Sequence, residues 1–488
     1  MNTRKQQLID IVGPANVEDD EAILSGFSCD ESFAAPLRPW FVVRPQNDAH
    51  VQALVKWANA TRTPLVPVSS GAPHRYGDTV PSVTEAVIVD LSAMRAIKRI
   101  DRRNKVAVIE PGVTYAELLP ALAKEGMLIP RPLRPRANKS VVASLLERQP
   151  TTIPRLNFCL MDPLRTCGVV WGTGELAFTG EAGLGPLSLE AQWQKNLAQV
   201  FALGPTSTDL VRVVTGAQGT MGIVVWASVK CELIPSLRRF FFIPHETIDG
   251  LIDLVYHMTR VRLGDETMIF NRAKLAGLLA KSADERARLL KSLPEWSVLA
   301  GLAGTALLPK ERIEVQEREL AADVQRHALT LRNGFAGVAQ TDVADALAAF
   351  AEDRAAVTAG EARQEIFFLA TLDKAPMFIA AVAATAARRG YPVPEIEIYV
   401  QPQHQGVSHH IEFAFPYQAG NGAAAERVKA LIDELSQELI DKGAYFSRPY
   451  GGWSDLIYAR DAVSTEALRV IKGIVDPANV MNPGKLCF

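Results

Sequence analysis

The sequence predicts an α+β fold of two domains, and three observations carry that prediction. The chain has 488 residues, more than one ordinary hydrophobic core accommodates. From Arg38 to about Pro235, short β-type runs alternate with amphipathic helices. From Arg238 onward, strands alternate with alanine-rich helices, the pattern of an antiparallel sheet backed by helices. The expected divisions are a helical N-terminal appendage at 1–33, a first domain at 34–236, a cap at 237–464 and a C-terminal segment at 465–488.

The elements follow in order. Asn47-Asp48 caps a helix whose Val51, Leu54, Val55 and Ala58 fall at helical spacing, and Thr63-Pro64 ends it. Leu65 to Val68 is an apolar strand running into the small-residue loop Ser69-Ser70-Gly71-Ala72-Pro73. Such a loop gathers backbone N–H groups without bulky side chains in the way, which suits a pyrophosphate. A second strand is expected at Val87 to Leu91, and a third at Ala107 to Glu110, ending at the turn Pro111-Gly112. Thr114 to Glu125 is a second helix with Leu118, Leu119 and Leu122 on one face. Gly216, Gly219 and Gly222 mark a turn that permits close backbone approach, anchored by the strand that follows. Arg238 to Pro244 opens the cap as a strand, with helices expected at Val343 to Ala356 and Ala423 to Ile440. A helix from Ala467 leads into the tail Asp476 to Lys485.

Composition narrows the class of function. The apolar share is 48%, the charged share 22% and the net charge −2, with no basic stripe, so neither nucleic acid nor an anionic membrane is the expected partner. No run approaches the roughly 18 apolar residues of a spanning helix. Met1 to Gln7 leads into an acid-containing segment rather than a cleavable apolar core, so a cytoplasmic location is expected. The five cysteines (Cys29, Cys159, Cys167, Cys231, Cys487) form no C-x-x-C pair and read as reduced structural thiols. An iron–sulfur centre in the electron path would belong to another chain.

Gly172-Thr173-Gly174 after the run Cys167 to Trp171 imitates a dinucleotide fingerprint. The next glycine is Gly180, six residues on rather than three, and no helix follows. The segment reads as a hairpin whose return strand starts near Glu175.

The ordered blocks 64–78, 87–94 and 107–115 resemble the flavin-binding domain of the vanillyl-alcohol oxidase and p-cresol methylhydroxylase superfamily. Gly216 to Val224 resembles the Gly-Ser-Glu-Gly-Thr-Leu-Gly-Ile block of glycolate oxidase and D-lactate dehydrogenase flavin subunits, with Gln218 in place of the acid. Gly204-Pro205 with Asp209 resembles a segment of the phenol-oxidising branch. The resemblance implies an FAD enzyme whose cap is inserted into a two-subdomain FAD-binding domain, the tail returning to that domain. It implies cofactor contacts at Pro67, Val68, Ser69, Ser70, Gly71, Ala72, His74, Tyr76 and Gly77. Further contacts are implied at Pro111, Gly112, Val113, Lys139, Ser140, Ala143, Ser144, Gly216, Gly219, Thr220, Gly222, Ile223, Asn482 and Lys485. Lys139 reads as a phosphate neighbour or a surface lysine. His74 reads as a covalent attachment point, a polar cofactor contact or a loop-packing residue.

Oxidation by flavin needs groups that orient the reacting carbon, take a hydroxyl or phenol proton and neutralise a substrate anion. Ser408 to Phe415 reads as a strand with His410 and Glu412 on one face and His409 and Ile411 on the other. His410 is a candidate base or hydrogen-bond donor, or a structural histidine. His404 and His410 loosely resemble a metal-binding His-x-Gly…His segment of D-lactate and D-2-hydroxyglutarate dehydrogenases, but the intervening Asp-Gly-Asn is absent and no metal is expected. Arg448 and Tyr450, in Tyr445 to Trp453, fall where the phenol-oxidising branch carries a Tyr-Arg pair. Arg448 suits a carboxylate or a phenolate, and an aromatic-lined core loop is the plain alternative. Asp162 is either a flavin-proximal acid or a turn-initiating Asp-Pro.

The expected activity is FAD-dependent oxidation of a hydroxyl-bearing carbon in a small-molecule 2-hydroxy acid such as glycolate or lactate. Electrons are expected to pass to a partner protein (an iron–sulfur protein or an electron-transfer flavoprotein), a quinone or oxygen. The alternatives are oxidation of para-substituted phenols or benzylic alcohols, and a flavin-carrying or scaffold subunit of a larger complex. A homo-oligomer is expected.

Overall fold

The computed structural model describes residues 3–157, 162–183, 187–204, 209–305, 307–335, 337–355 and 357–488. Cys159, Pro205 and Ala356 lie outside them.

Two sheets build the N-terminal half. The first has four strands in the order Val17–Glu18, Phe41–Val43, Val87–Asp90, Leu65–Val68, the last three parallel. The helix Asp48–Thr61 supplies a crossover between parallel strands, its Asn47 side chain accepting from the His50 N–H at 2.9 Å as an N-cap does. Val51, Leu54, Val55 and Ala58 are fully buried. The second sheet is antiparallel, in the order Ile97–Asp101, Val106–Ile109, Gly222–Lys230, Leu164–Trp171, Leu176–Phe178. Its last pair is the hairpin expected across Gly172-Thr173-Gly174. The helix Tyr115–Lys124 starts where Glu117 accepts the Thr114 N–H at 3.0 Å, half of a capping box.

The N-terminal residues are not an appendage. Val17 pairs with Val43, and Leu8 and Val12 of the helix Thr3–Val12 join the same core as Val51 and Leu54. A two-residue strand is too short to show a period of two, which is why sequence pattern missed it.

The cap is one antiparallel sheet of six strands in the order Leu237–His245, Trp296–Gly304, Thr267–Asn271, Glu397–Gln403, Ser408–Gln418, Glu361–Ala370. The helices Asp249–Val261, Ala375–Arg388 and Gly422–Asp441 pack on one face, burying Ile366, Phe368, Ile411 and Phe413 with Leu254, Phe378 and Leu435. Alternation then turns Phe367, His410 and Glu412 to the other face, where Phe367 lies edge-on to Tyr76 of the first half. The helix expected to Ala356 ends at Ala348, where Ala349 turns to extended backbone; alanine propensity gave no stop signal.

The division expected between 464 and 465 falls inside the helix Ala462–Val475. Beyond it the chain returns to the first sheet: Leu65 N–H donates to Val480 O at 2.8 Å, and Asn482 N–H to Leu65 O at 2.8 Å. The Lys472 ammonium, buried beneath this return, donates to Thr220 O, Asp476 Oδ2 and Met481 O.

Candidate active site

The free face of the cap sheet looks across a cleft at the loops of the first half. The cleft has two main cavities, of about 850 Å³ and 2640 Å³. They meet at Pro67, Ser69, Asp78, Ala143, Glu147 and Arg448.

The smaller cavity is mainly apolar, with Leu91, Val142, Leu146, Val214, Met221 and Val224 in its wall. Pro111, Gly216, Gly219, Gly222, Ile223 and Tyr450, all singled out in the sequence, also line it. Gly219 has φ +72°, and a Cβ there would sit 2.4 Å from Pro67 Cγ. Only glycine suits both constraints.

Val68, Ser70, His74, Tyr76 and Lys139 line the larger cavity. The amides of Ser70, His74, Arg75 and Tyr76 find no backbone acceptor among the described residues. Arg136 and Asn138 hold the loop open from behind: Arg136 Nη1 donates to Gly71 O at 2.7 Å and Asn138 Nδ2 to Ala72 O at 2.6 Å. Lys139 is paired with Glu147. Burial, helped by Arg136 and Lys139, pushes the His74 imidazole down to about 4, so it is neutral at physiological pH. Burial and the nearby Glu147 raise the Asp78 carboxyl.

Ten of the expected cofactor residues shape the cleft without lining either main cavity. Gly71 and Ala72 give their carbonyls to the clamp just described. The Gly77 N–H donates to Asp30 Oδ2 at 2.7 Å, and its carbonyl accepts from Lys485 Nζ at 2.6 Å. Gly112 is a packing glycine, because a Cβ would come 2.7 Å from the Leu91 and Met94 carbonyls. Val113 O accepts from Val141 N–H at 3.0 Å. Ser140 Oγ donates to Pro111 O at 2.5 Å. Ser144 Oγ accepts from Tyr115 OH at 2.9 Å, and Thr220 Oγ1 donates to Ala217 O at 2.7 Å. Asn482 Nδ2 donates to Gln218 O at 2.7 Å.

On the cap face the charges are paired. Lys274 Nζ lies 2.8 Å from Glu412 Oε1, and Arg363 pairs with Glu365. Arg286 Nη1 lies 2.6 Å from Glu361 Oε1. Burial opposes ionisation of Glu412, but Lys274 and His410 outweigh it and hold the carboxyl well below its usual range. His410 Nε2 lies 3.3 Å from Glu412 Oε2; burial lowers its pKa and Glu412 opposes the shift.

Arg448 is the exception. It is 7% exposed, its Cζ stands 4.0 Å over the Phe367 ring, and it makes no hydrogen bond or ion pair among the described residues. It reaches both main cavities and a smaller one of about 300 Å³ lined by His404, His410 and Phe367. The Tyr76 and Tyr450 rings stack beside it, 4.7 Å between centroids and 19° between planes. Burial raises both phenols, so they stay protonated.

Two expected catalytic residues are placed differently. Asp162 lines none of these cavities; its carboxylate turns to Arg165 at 3.3 Å, a local pairing that the Asp-Pro turn favours. His404 Nδ1 contacts Ser408 Oγ at 3.0 Å, and, like His410, it reaches only the smallest cavity. Sequence reading passed over Asp78, Glu147, Arg136, Lys274, Arg363 and Glu365. Arg363, Glu365 and Phe367 alternate along one strand, a signal of one shared face that was available.

The site is therefore a dinucleotide-sized cleft between a backbone-rich loop wall and a polar sheet face. Its open amides, the Gly219 turn and the apolar cavity fit the diphosphate and the aromatic ring systems of FAD. Comparison with known proteins agrees. Residues 39–143 match the family described as FAD binding domain. The glycolate oxidase subunit GlcD of Bacillus subtilis is 23% identical over 99% of this chain and 96% of its own length. The D-lactate dehydrogenase of Anaerostipes hadrus is 22% identical over 98% and 96%. The structure of p-cresol methylhydroxylase with substrate bound superposes with a TM-score of 0.82 at 19% identity, covering 100% of this chain and 96% of that one. The chain is an FAD-dependent oxidoreductase with the fold of p-cresol methylhydroxylase.

Proposed function

We propose that this cleft oxidises a hydroxyl-bearing carbon beside a carboxylate, that is, a 2-hydroxy acid. The observation that carries the reading is Arg448, a buried guanidinium left unpaired in a cleft where the neighbouring Lys274 and Arg363 are neutralised. An unpaired buried charge is costly, and a substrate carboxylate in bidentate contact removes the cost. The full-length likeness to a glycolate oxidase subunit and a D-lactate dehydrogenase supports the same class.

FAD, when bound, supplies the hydride acceptor. Ser70, His74 and Tyr76, with Arg136 and Lys139 nearby, would hold its diphosphate side, and the wall from Leu91 to Val224 would take an aromatic ring system. Arg448 anchors the substrate anion. His410, neutral and steadied by Glu412, accepts the hydroxyl proton. Electrons then leave for a partner protein or a quinone.

Tyr76 and Tyr450 favour a second reading, in which Arg448 holds the phenolate of a para-substituted phenol. Anaerobic mixing of the FAD-loaded protein with lactate, glycolate or a 4-alkylphenol separates the two. Bleaching near 450 nm by a hydroxy acid, lost in Arg448→Met, is the expected outcome; bleaching by the phenol alone replaces the first reading by the second.

A further inference from the structure

We propose that the preferred substrate is a 2-hydroxy acid carrying an aromatic ring, in the size range of mandelate or 3-phenyllactate. The inference rests on the hydroxy-acid reading and adds what surrounds the anion. Tyr450 lines the smaller main cavity and Tyr76 the larger one. Arg448, which reaches both cavities and stands over Phe367, therefore shares each cavity with a tyrosine. Phe367 lies edge-on to both, at 5.7 Å and 80° from Tyr76 and 6.3 Å and 76° from Tyr450. Edge-to-face and offset contacts of this kind are the ones a further ring adopts.

The rest of the cleft gives a small acid little to hold. Lys274 and Arg363 are committed to Glu412 and Glu365. On the proposed reading glycolate would meet only Arg448 and His410, while an aryl side chain also buries apolar surface against the tyrosines. Burying one such ring is worth about 10- to 100-fold in affinity.

The test measures the second-order rate constant for anaerobic flavin reduction in the FAD-loaded protein, with 3-phenyllactate, mandelate, lactate, glycolate and 4-ethylphenol. The expected result is an aryl acid about 10- to 100-fold above lactate. Tyr450→Ala should collapse that ratio and Tyr450→Phe retain it. Lactate or glycolate reacting fastest overturns the aryl assignment and leaves the hydroxy-acid reading standing; 4-ethylphenol reacting alone overturns both. Equilibrium binding provides a readout free of turnover. Phenylacetate should perturb the bound flavin spectrum at about tenfold lower concentration than acetate, and Arg448→Met should abolish the effect. If no acid is oxidised, that binding difference upholds the aryl-carboxylate site while removing the oxidation reading. Equal or absent binding overturns the site as well.

Discussion

The two walls of the cleft are built by opposite means. The loop wall is made of small residues and backbone, and it offers amides, the Gly219 turn and apolar side chains from several elements. The cap wall is a sheet face studded with charges, most of them cancelled by a partner on the same strand or on a helix packed beside it. The loop wall suits a large cofactor that must be gripped along its length. The cap wall suits a small substrate recognised at one point, and on the proposed reading Arg448 is that point. Grip is distributed on one side and concentrated on the other, so substitutions should have different signatures on the two walls.

The largest effect is expected beneath the loop wall. Lys472 is buried under the C-terminal return and holds Thr220 O, Asp476 and Met481 O together. Lys472→Met leaves Asp476 as an uncompensated buried charge, which costs about 3–5 kcal/mol. Thermal or denaturant unfolding should show that loss, together with weaker FAD retention, because Thr220 belongs to the glycine turn. An unchanged melting temperature would remove the lock from the account of this wall.

Next comes the point contact. Arg448→Met should lower substrate-dependent flavin reduction about 10²- to 10³-fold, on the scale of a lost bidentate charged contact, with FAD content and melting temperature close to the parent. That pattern, rate without stability, distinguishes the two walls most sharply. If FAD content falls in parallel, Arg448 belongs to the cofactor grip and the contrast fails.

Gly219→Ala should act in the reverse sense. The added Cβ meets Pro67 at 2.4 Å in a residue with φ +72°, so overpacking and a left-handed alanine together cost about 2–3 kcal/mol. The FAD dissociation constant, read by fluorescence recovery on dilution, should rise, while the relative rates among substrates stay fixed.

This division also explains what sequence alone could reveal. Pro67 to Tyr76 and Gly216 to Ile223 were legible because backbone chemistry dictates their residue types: small residues for open amides, glycine for positive φ. The helix at Asp48–Thr61 was legible from its period and its Asn47 cap. The cap wall was not, because its pairings join Lys274 to Glu412 and Arg286 to Glu361, each a helix residue and a strand residue far apart in sequence that only tertiary packing brings together. His410 and Glu412 could be assigned to one face, but not Arg448's solitude, which depends on every neighbour having another partner. Lys472 and Asp476 stand at i, i+4 spacing, and nothing local signals that the chain return buries them. The strand Val17–Glu18 is too short for pattern to detect.

The smallest expected effect separates the walls by pH. His74 sits in the loop wall and His409 on the helix-backed side of the cap sheet, and burial holds each near 4. His409 has neither ring nitrogen hydrogen-bonded and stands edge-on to Tyr256 at 5.6 Å. Above about pH 6.5 both residues are neutral whether the chain is folded or unfolded, so neither contributes a pH dependence. As pH falls below 6.5 the unfolded chain takes up protons first, and stability is lost until about pH 4, where the folded residues also protonate. The loss is at most about 3 kcal/mol per residue and less where water reaches the ring. Denaturant unfolding between pH 7 and 4 should therefore flatten in His409→Phe, with or without cofactor. If FAD binds with its diphosphate beside His74, as proposed, it should raise the folded pKa of that residue, so in the parent the His74 share of the slope should shrink on FAD addition while the His409 share stays. An identical slope with and without FAD would place the diphosphate away from His74 and require the loop wall's grip to be redrawn.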